Sequence, residues 1–218
     1  MLTQGASETL TSLQDEVNKT LSLNEKVVLA SNTCSASLAS LPVVAKHYPE
    51  IKLLWIDAHG DFNTPETTGT GYLGGMVLGA VCGQWDSGYG SGINPNQVIL
   101  VGAHDIDQGE RGLLEKAGVK IIPPKEVNYD SVKSLISESK IWIHIDWDVL
   151  EPGQIPADYK VNGGLRLPQL INLFKSIPSN QVLGLELAEF SADDFESESN
   201  KKGMNNIRST VKALFNNI

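Results

Sequence analysis

Two short segments of this chain concentrate the side chains that bind and polarise. The first, Asp57-Ala58-His59-Gly60-Asp61, follows the apolar run IKLLWI, and the second, His144-Ile145-Asp146-Trp147-Asp148, closes the run KIWIHIDWD. Carboxylate oxygens with some imidazole suit a hard divalent ion such as manganese or magnesium better than copper or a thiolate zinc site. Side chains of an extended chain alternate faces, so Asp146, Asp148 and His144 are expected on one side, with Trp147 on the other, packed in the core. Carboxylates gathered out of water repel one another and lose hydration unless cations neutralise them, so a bound ion pair resolves the cluster. A plainer reading competes: aspartate at a strand end also caps helices, an isolated Asp-x-Asp is a frequent accident, and His59 could be a satisfied core histidine. Two such segments, each at the carboxyl end of an apolar strand, favour the metal reading.

The elements that must position these groups are legible as alternating runs. β-Branched, apolar stretches predict strands over Lys26 to Ala30, Ile51 to Ile56, Gln97 to Val101, Val119 to Ile122, Lys140 to Ile145 and Gln181 to Leu187. Helical spacing predicts helices over Ser35 to Ala45, Leu73 to Val81, Glu110 to Ala117, Ser131 to Ser139, Pro168 to Ser176 and Asn205 to Phe215. A surface helix over residues 6–20, carrying Leu10, Leu13, Val17 and Leu21, precedes them, with Ser7 or Thr9 as its cap. Near-continuous apolar strands are buried on both faces, which implies an α/β fold: a three-layer α/β/α sandwich with a mostly parallel sheet. In such sheets ligands gather beyond the carboxyl ends of the strands. The Gly/Pro/Asn-rich stretches Gly83 to Asn96 and Glu151 to Gly164 read as long loops, and one domain over residues 1–218 is the simplest organisation.

Composition limits the partners. Among 218 residues, 17 Lys plus Arg face 26 Asp plus Glu, a formal charge of −9 that repels phosphate backbones and anionic lipid and welcomes a small cation. No run of apolar residues is long enough to span a membrane, and the first residues carry acids without an apolar leader. Cys34 and Cys82 form no Cys-x-x-Cys pair, which fits a reducing compartment, by default the cytoplasm. Gly71, Gly74 and Gly75 are too irregular for a dinucleotide fingerprint, so no nucleotide cofactor is expected.

The motifs resemble those of the ureohydrolases: arginases, agmatinases and formimidoylglutamases, which share a dimanganese α/β fold. WIDAHGDFNTPETTGTGYLGGM resembles the DAHxD signature with its downstream substrate loop, and IHIDWDVLEP resembles SxDxDxxDP. GLELAEF is similar to the third carboxylate segment, and VGAHDIDQGE to the loop that meets the substrate's amino group. The resemblance implies that Asp57 and Asp146 bridge two Mn2+ ions, that Asp61 completes one, and that His59 with Asp148 completes the other. Cys34 falls where the family has the histidine of GGDHS or, in some members, a cysteine; a buried inert thiol is the other reading. The resemblance implies further that Glu189 holds a guanidinium, and that Asp61 acts as general acid and base. Asn63, Thr68 and Thr70 stand where arginases hold a substrate carboxylate, and Asp107 where they hold its amino group. Plain turn chemistry is the alternative for these positions. Family members assemble as homo-oligomers, so one is expected here. Departures are Thr33 for an acid, Gly74 for a proton-shuttling histidine and His144 for a serine; Glu186 reads as structural. The chain begins near its first metal-bearing strand, so elements that precede that strand in relatives are expected to be missing.

The expected activity is a manganese-dependent hydrolysis of a linear C–N bond in a guanidino (arginine- or agmatine-like) or formimino compound. Two ions sharing carboxylates lower the pKa of an intervening water and generate hydroxide near neutral pH. Cys34, Thr33 and Gly74 also leave open a catalytically impaired homologue that serves as a metal-binding or regulatory protein, and a deacetylase-like relative is a third reading.

Overall fold

The computed structural model describes residues 4–192, 194 and 196–215. Six parallel strands form one sheet in the order β1-β6-β5-β2-β3-β4. They are β1 (Val27–Ala30), β2 (Lys52–Ile56), β3 (Val98–Val101), β4 (Lys120–Ile122), β5 (Ile141–Asp146) and β6 (Val182–Ala188). The helices between them are α1 (Gln4–Ser22), α2 (Ser37–His47), α3 (Val77–Val81), α4 (Gln108–Ala117), α5 (Tyr129–Ile136), α6 (Leu167–Ser176) and α7 (Glu198–Phe215).

Alternation along the strands divides the core in two. Leu54, Ile56, Ile143 and Ile145 face a layer made by α5, α6 and α7, where they meet Val132, Leu170, Phe174 and Leu214. Leu53, Trp55 and Trp142 face α1 to α4, where they meet Val17, Leu38, Leu41, Val77 and Leu114. The three-layer sandwich expected from the apolar strands is therefore present, and β3 and β5 are buried along their whole length. β1 lies at one edge of the sheet, with every second residue open and Val28 54% exposed.

The strands start within a residue of the sequence reading, but the helices differ in several details; α3, expected from Leu73, begins at Val77 after a 3-10 turn over Gly74–Met76. α1 already runs from Gln4, so Ser7 and Thr9 lie inside it and cap nothing; the Thr9 hydroxyl donates back to the Gly5 carbonyl at 2.9 Å. α7 begins at Glu198, well before Asn205, because its polar first turns carry no apolar period to betray them. α5 stops at Ile136 because Ser137 turns to a positive φ of 47°. Among the described residues no helix is long and apolar enough to cross a membrane.

Register brings the chemistry together. β2 lies beside β5 with Ile56 opposite Ile145, so Asp57 and Asp146 leave the sheet side by side. β6 lies beside β5 with Asp146 opposite Ala188, which sets Glu189 next along the rim, and β1 lies beyond β6 with Ala30 opposite Leu187. The β5/β6 pairing skips a residue between Ile141 and Trp142, so that Trp142 stands opposite Gly184 and its ring occupies the space a Cβ there would need. We predict that Gly184→Ala lowers stability by about 1–3 kcal/mol through overpacking. Urea unfolding with an unchanged m-value is the measurement, and an unmoved midpoint would show that the Trp142 ring yields freely.

Candidate metal centre

Asp57 and Asp146 are each aimed by a backbone bond from their own turn. Asp57 Oδ1 accepts from the His59 amide at 2.8 Å, and Oδ2 accepts from Trp55 Nε1 at 3.1 Å. Asp146 Oδ1 accepts from the Asp148 amide at 2.9 Å and caps a single 3-10 turn over Trp147–Val149. Asp148 is thus carried by a turn and not by the strand pleat expected from its spacing, yet it reaches the same side, and Trp147 is buried in the opposite layer. Asp148 Oδ1 accepts from the Ala58 amide at 3.3 Å, tying the β5 turn to the β2 turn. Asp61 (φ 48°) and Glu189 (φ 60°) are both left-handed and both buried. Glu189 Oε1 accepts from the Cys34 amide at 3.1 Å and from the Tyr72 hydroxyl at 2.9 Å. Thr33 accepts from the Ser35 amide and caps the short turn that carries Cys34, whose thiol donates to Asp146 Oδ2 at 3.3 Å.

The electrostatics are those of a crowded anionic pit with one cation. Burial, then the charges of Asp57 and its other acidic neighbours, push the Asp61 and Asp146 carboxyls well above the usual carboxylate range; Asp148 shifts the same way. Burial, with Asp146, Asp61, Asp57 and Glu189 adding to it, also drives the Cys34 thiol up. Burial would raise Asp57 too, but hydrogen bonds and charge from His59 hold it below its ordinary value. His59 Nδ1 lies 3.1 Å from Asp148 Oδ2 and 3.4 Å from Asp57 Oδ1. Desolvation lowers the pKa of this ring, but the bonds and charges of Asp148 and Asp57 prevail and push it up to about 12.

Three groups of donor atoms lie within 4.8 Å of one another: Asp57, His59 and Asp148; Cys34, Asp146 and Glu189; and Cys34, Asp57 and His144. Asp148 Oδ2 is buried with His59 Nδ1 as its close partner at 3.1 Å, and among the described residues no hydrogen bond of regular geometry reaches it. Oxygen donors with imidazole and one thiol, short of countercharge, fit divalent cations.

Of the residues singled out in the sequence, Cys34, His59, Asp61, Asp146, Asp148 and Glu189 line one cavity of about 250 Å³. Asn63, Thr70 and Asp107 line it too, and Asp107 also caps α4 by accepting from the Glu110 amide at 2.8 Å. Thr68 is not among the lining residues; its hydroxyl accepts from the amides of Thr70 and Gly71 and shapes the loop. Asp57 lies beneath the floor, 1% exposed.

Tyr72, Glu110 and the pairing of His144 with Glu186 are not legible in the sequence. Tyr72 stands over Gly74, where a Cβ would run into its ring, so the phenol fills the place left by the absent side chain. Glu110 accepts from the Phe62 amide at 2.8 Å and packs against Gly60, whose missing side chain makes room for the carboxyl. His144 and Glu186 form a buried pair, Nδ1 to Oε2 at 2.9 Å. For Tyr72 and Glu110 the sequence signal was the glycine facing the intruding side chain; His144 was expected on the metal side, but not its bond to Glu186.

Residues 2–210 match the sequence model of the Arginase family. An N(omega)-hydroxy-L-arginine amidinohydrolase of Streptomyces lavendulae is 53% identical over 187 residues, covering 86% of this chain and 68% of that protein. An arginase of Bacillus subtilis (strain 168) is 29% identical over 159 residues, 66% of this chain and 54% of its own length. In fold, the crystal structure of arginase from Bacillus subtilis superposes with a TM-score of 0.86 at 24% identity, over 94% of this chain and 77% of that one. These matches define the class, a hydrolase acting on C–N bonds of linear amidines. The chain belongs to the arginase family.

Burial, with Asp107 and Asp57 adding to it against the Phe62 hydrogen bond, raises the Glu110 carboxyl to about 7. A carboxyl raised above its unfolded value adds stability in acid that is lost as pH climbs through the folded value, here from 4.5 to about 7. We predict that the chelator-treated protein loses thermal stability between pH 5 and 7.5, and that Glu110→Gln flattens that loss. A slope identical to the parent's would show that Glu110 does not contribute.

Proposed function

We propose that this chain hydrolyses the guanidino C–N bond of an arginine-like amino acid with the help of two manganese ions. The observation that carries the reading is that His59, Asp146, Asp148 and Glu189 line one cavity, with Asp57 buried beneath its floor and within reach of His59 and Asp148. The amidinohydrolase named for N(omega)-hydroxy-L-arginine supports the substrate class at 53% identity. In this reading Asp57, Asp146, Cys34 and Asp61 would hold one ion, and Asp57, Asp146, His59 and Asp148 would hold the other. When bound, the metal pair supplies a water acidified enough to attack at neutral pH.

The chain's own residues do the rest. A guanidinium is planar and cationic, and a carboxylate grips it with forked bonds. Glu189 is held for this by the Cys34 amide and the Tyr72 hydroxyl, which fix one of its oxygens and leave the other for the substrate. Asp61, which lines the cavity, is placed to hold a proton and hand it to the departing amine. Asn63 and Thr70 reach the cavity as polar partners for a substrate carboxylate, with Thr68 bracing the loop, and Asp107 offers its charge to an amino group. An acidic rim suits a cationic substrate.

The test is release of urea, or hydroxyurea, from arginine, N-hydroxyarginine and agmatine by protein loaded with manganese. No product from any of them, with two ions bound, would leave the impaired homologue as the better reading. Glu189→Gln should lower kcat/KM by about 100-fold or more at unchanged metal content, and Tyr72→Phe by about 10-fold, the sizes expected when charged hydrogen bonds worth roughly 1.5–3 kcal/mol are lost. Asp146→Ala should release both ions, and Cys34→Ala only one; elemental analysis after dialysis separates these outcomes. Equal losses would overturn the ligand assignment.

A further inference from the structure

The loop between β5 and α6 carries an aromatic ring that the reaction described above does not use. Residues 151–164 leave and rejoin the fold at one point, where the Leu165 amide donates to the Val149 carbonyl and the Glu151 amide to the Leu165 carbonyl, both at 2.8 Å. Ile155 and Ala157 are buried in the layer around Phe174, which anchors the loop on the near side of Tyr159. On the far side the Gly163 amide donates to Glu151 Oε1 at 3.2 Å. Tyr159 stands out from this frame, 49% exposed, at the mouth of the cavity. Its ring meets His59 with centroids 5.6 Å apart and planes at 73°, and meets Tyr72 at 6.2 Å and 48°. Tyr72 in turn bonds Glu189 through its hydroxyl, so Tyr159 stands between His59 and the ring that holds Glu189.

The rest of the lining gives these two phenol rings their weight. Among the described residues no leucine, isoleucine, valine, methionine or phenylalanine lines the cavity; beyond the tyrosines and His59 it is walled by acids, one amide, one hydroxyl, glycines and Cys34. A guanidino substrate brings a planar cation on an aliphatic stem. Forked bonds from a carboxylate lie in the plane of that cation and leave its two faces uncovered. Aromatic rings attract such faces and pack against methylenes, and exposed aromatic rings gathered at one mouth mark a binding surface. We propose that Tyr159, with Tyr72 beside it, is a specificity-determining contact, its ring covering the guanidino cation gripped by Glu189 and the methylenes next to it. Because the loop is tied down at both sides of Tyr159, the ring is in place before substrate arrives, and little ordering opposes the contact. The inference rests on the guanidino reading given under Proposed function and adds a residue that enforces it.

Manganese-loaded protein is assayed with whichever guanidino compound gives most product. Tyr159→Leu, which keeps apolar bulk and removes the ring, should raise KM by about 5–20-fold with kcat within about 2-fold, the pattern of a lost cation–ring contact that serves binding alone. Tyr159→Phe should stay within about 2-fold of the parent in KM, because the ring and not the hydroxyl makes the contact. An unchanged KM in Tyr159→Leu, or an equal loss in Tyr159→Phe, overturns the proposal. So does a fall in bound manganese that accompanies the loss, which would show that Tyr159 acts through His59 and not on substrate. Should Tyr159→Leu not fold, Tyr159→Ser with the parent's KM is the overturning result. Calorimetric binding of arginine keeps the two readings apart. Arginine bound without turnover, and about 5–20-fold more weakly by Tyr159→Leu, would sink the hydrolase and leave the aromatic contact standing. Turnover with the parent's KM in Tyr159→Leu would do the reverse, and neither turnover nor binding would remove both.

Discussion

Uncompensated negative charge, held out of water, is the constraint on which this structure turns. Asp57, Asp61, Asp146 and Asp148 are each less than a tenth exposed, Glu189 joins them, and His59 is the single cationic partner within ion-pair reach of Asp57 and Asp148. Burial alone pushes most of these carboxyls toward protonation. A fold that keeps such a cluster has to receive countercharge from outside, and everything around the cluster is arranged to hold the acids in place until it arrives. Asp57, Asp146 and Asp148 are each pinned by an amide or indole N–H of their own or a neighbouring turn, which resists their swinging apart toward solvent.

The sheet supplies the convergence. A parallel sheet presents all its carboxyl ends at one rim, and the order β1-β6-β5-β2 places four consecutive strand ends there. Asp57 follows β2, Asp146 ends β5, Glu189 follows β6 and Cys34 follows β1, so residues far apart in sequence become neighbours without any long excursion of the chain. The two apolar layers that clamp the sheet, one around Trp55 and Trp142 and the other around Ile143 and Phe174, give that rim its rigidity.

What the sequence disclosed followed from periodicity and from residue type. The six strands announce themselves by continuous apolar runs, and the acids by their place just beyond β2 and β5, because both signals are local. What stayed hidden is non-local. Nothing in the sequence near Tyr72 says that its phenol will cover Gly74 and bond Glu189, since that bond joins residues 117 apart. Glu110 stood in the sequence only as the first residue of a helical run, and the room for its carboxyl is left by the glycine at position 60 in a different turn. His144 was noticed as an imidazole on the metal side of its strand, but its partners, Glu186 and Ser37, lie on a neighbouring strand and on a helix across the sheet. Asp148 reached its expected side by a tight turn and not by strand alternation, a case in which parity pointed the right way for a different geometric cause. Thr68 came from the family resemblance, with turn chemistry as the alternative, and its hydroxyl accepts from the amides of Thr70 and Gly71 within the loop.

The left-handed backbone at Asp61 and Glu189 has a consequence for how such a chain drifts. Side chains with a Cβ are uncomfortable there, at about 1–3 kcal/mol each. Glycine would relax both positions, so selection for sturdiness alone erodes these two sites first, and lineages freed from the reaction should shed them while the sheet and its hydrophobic layers persist.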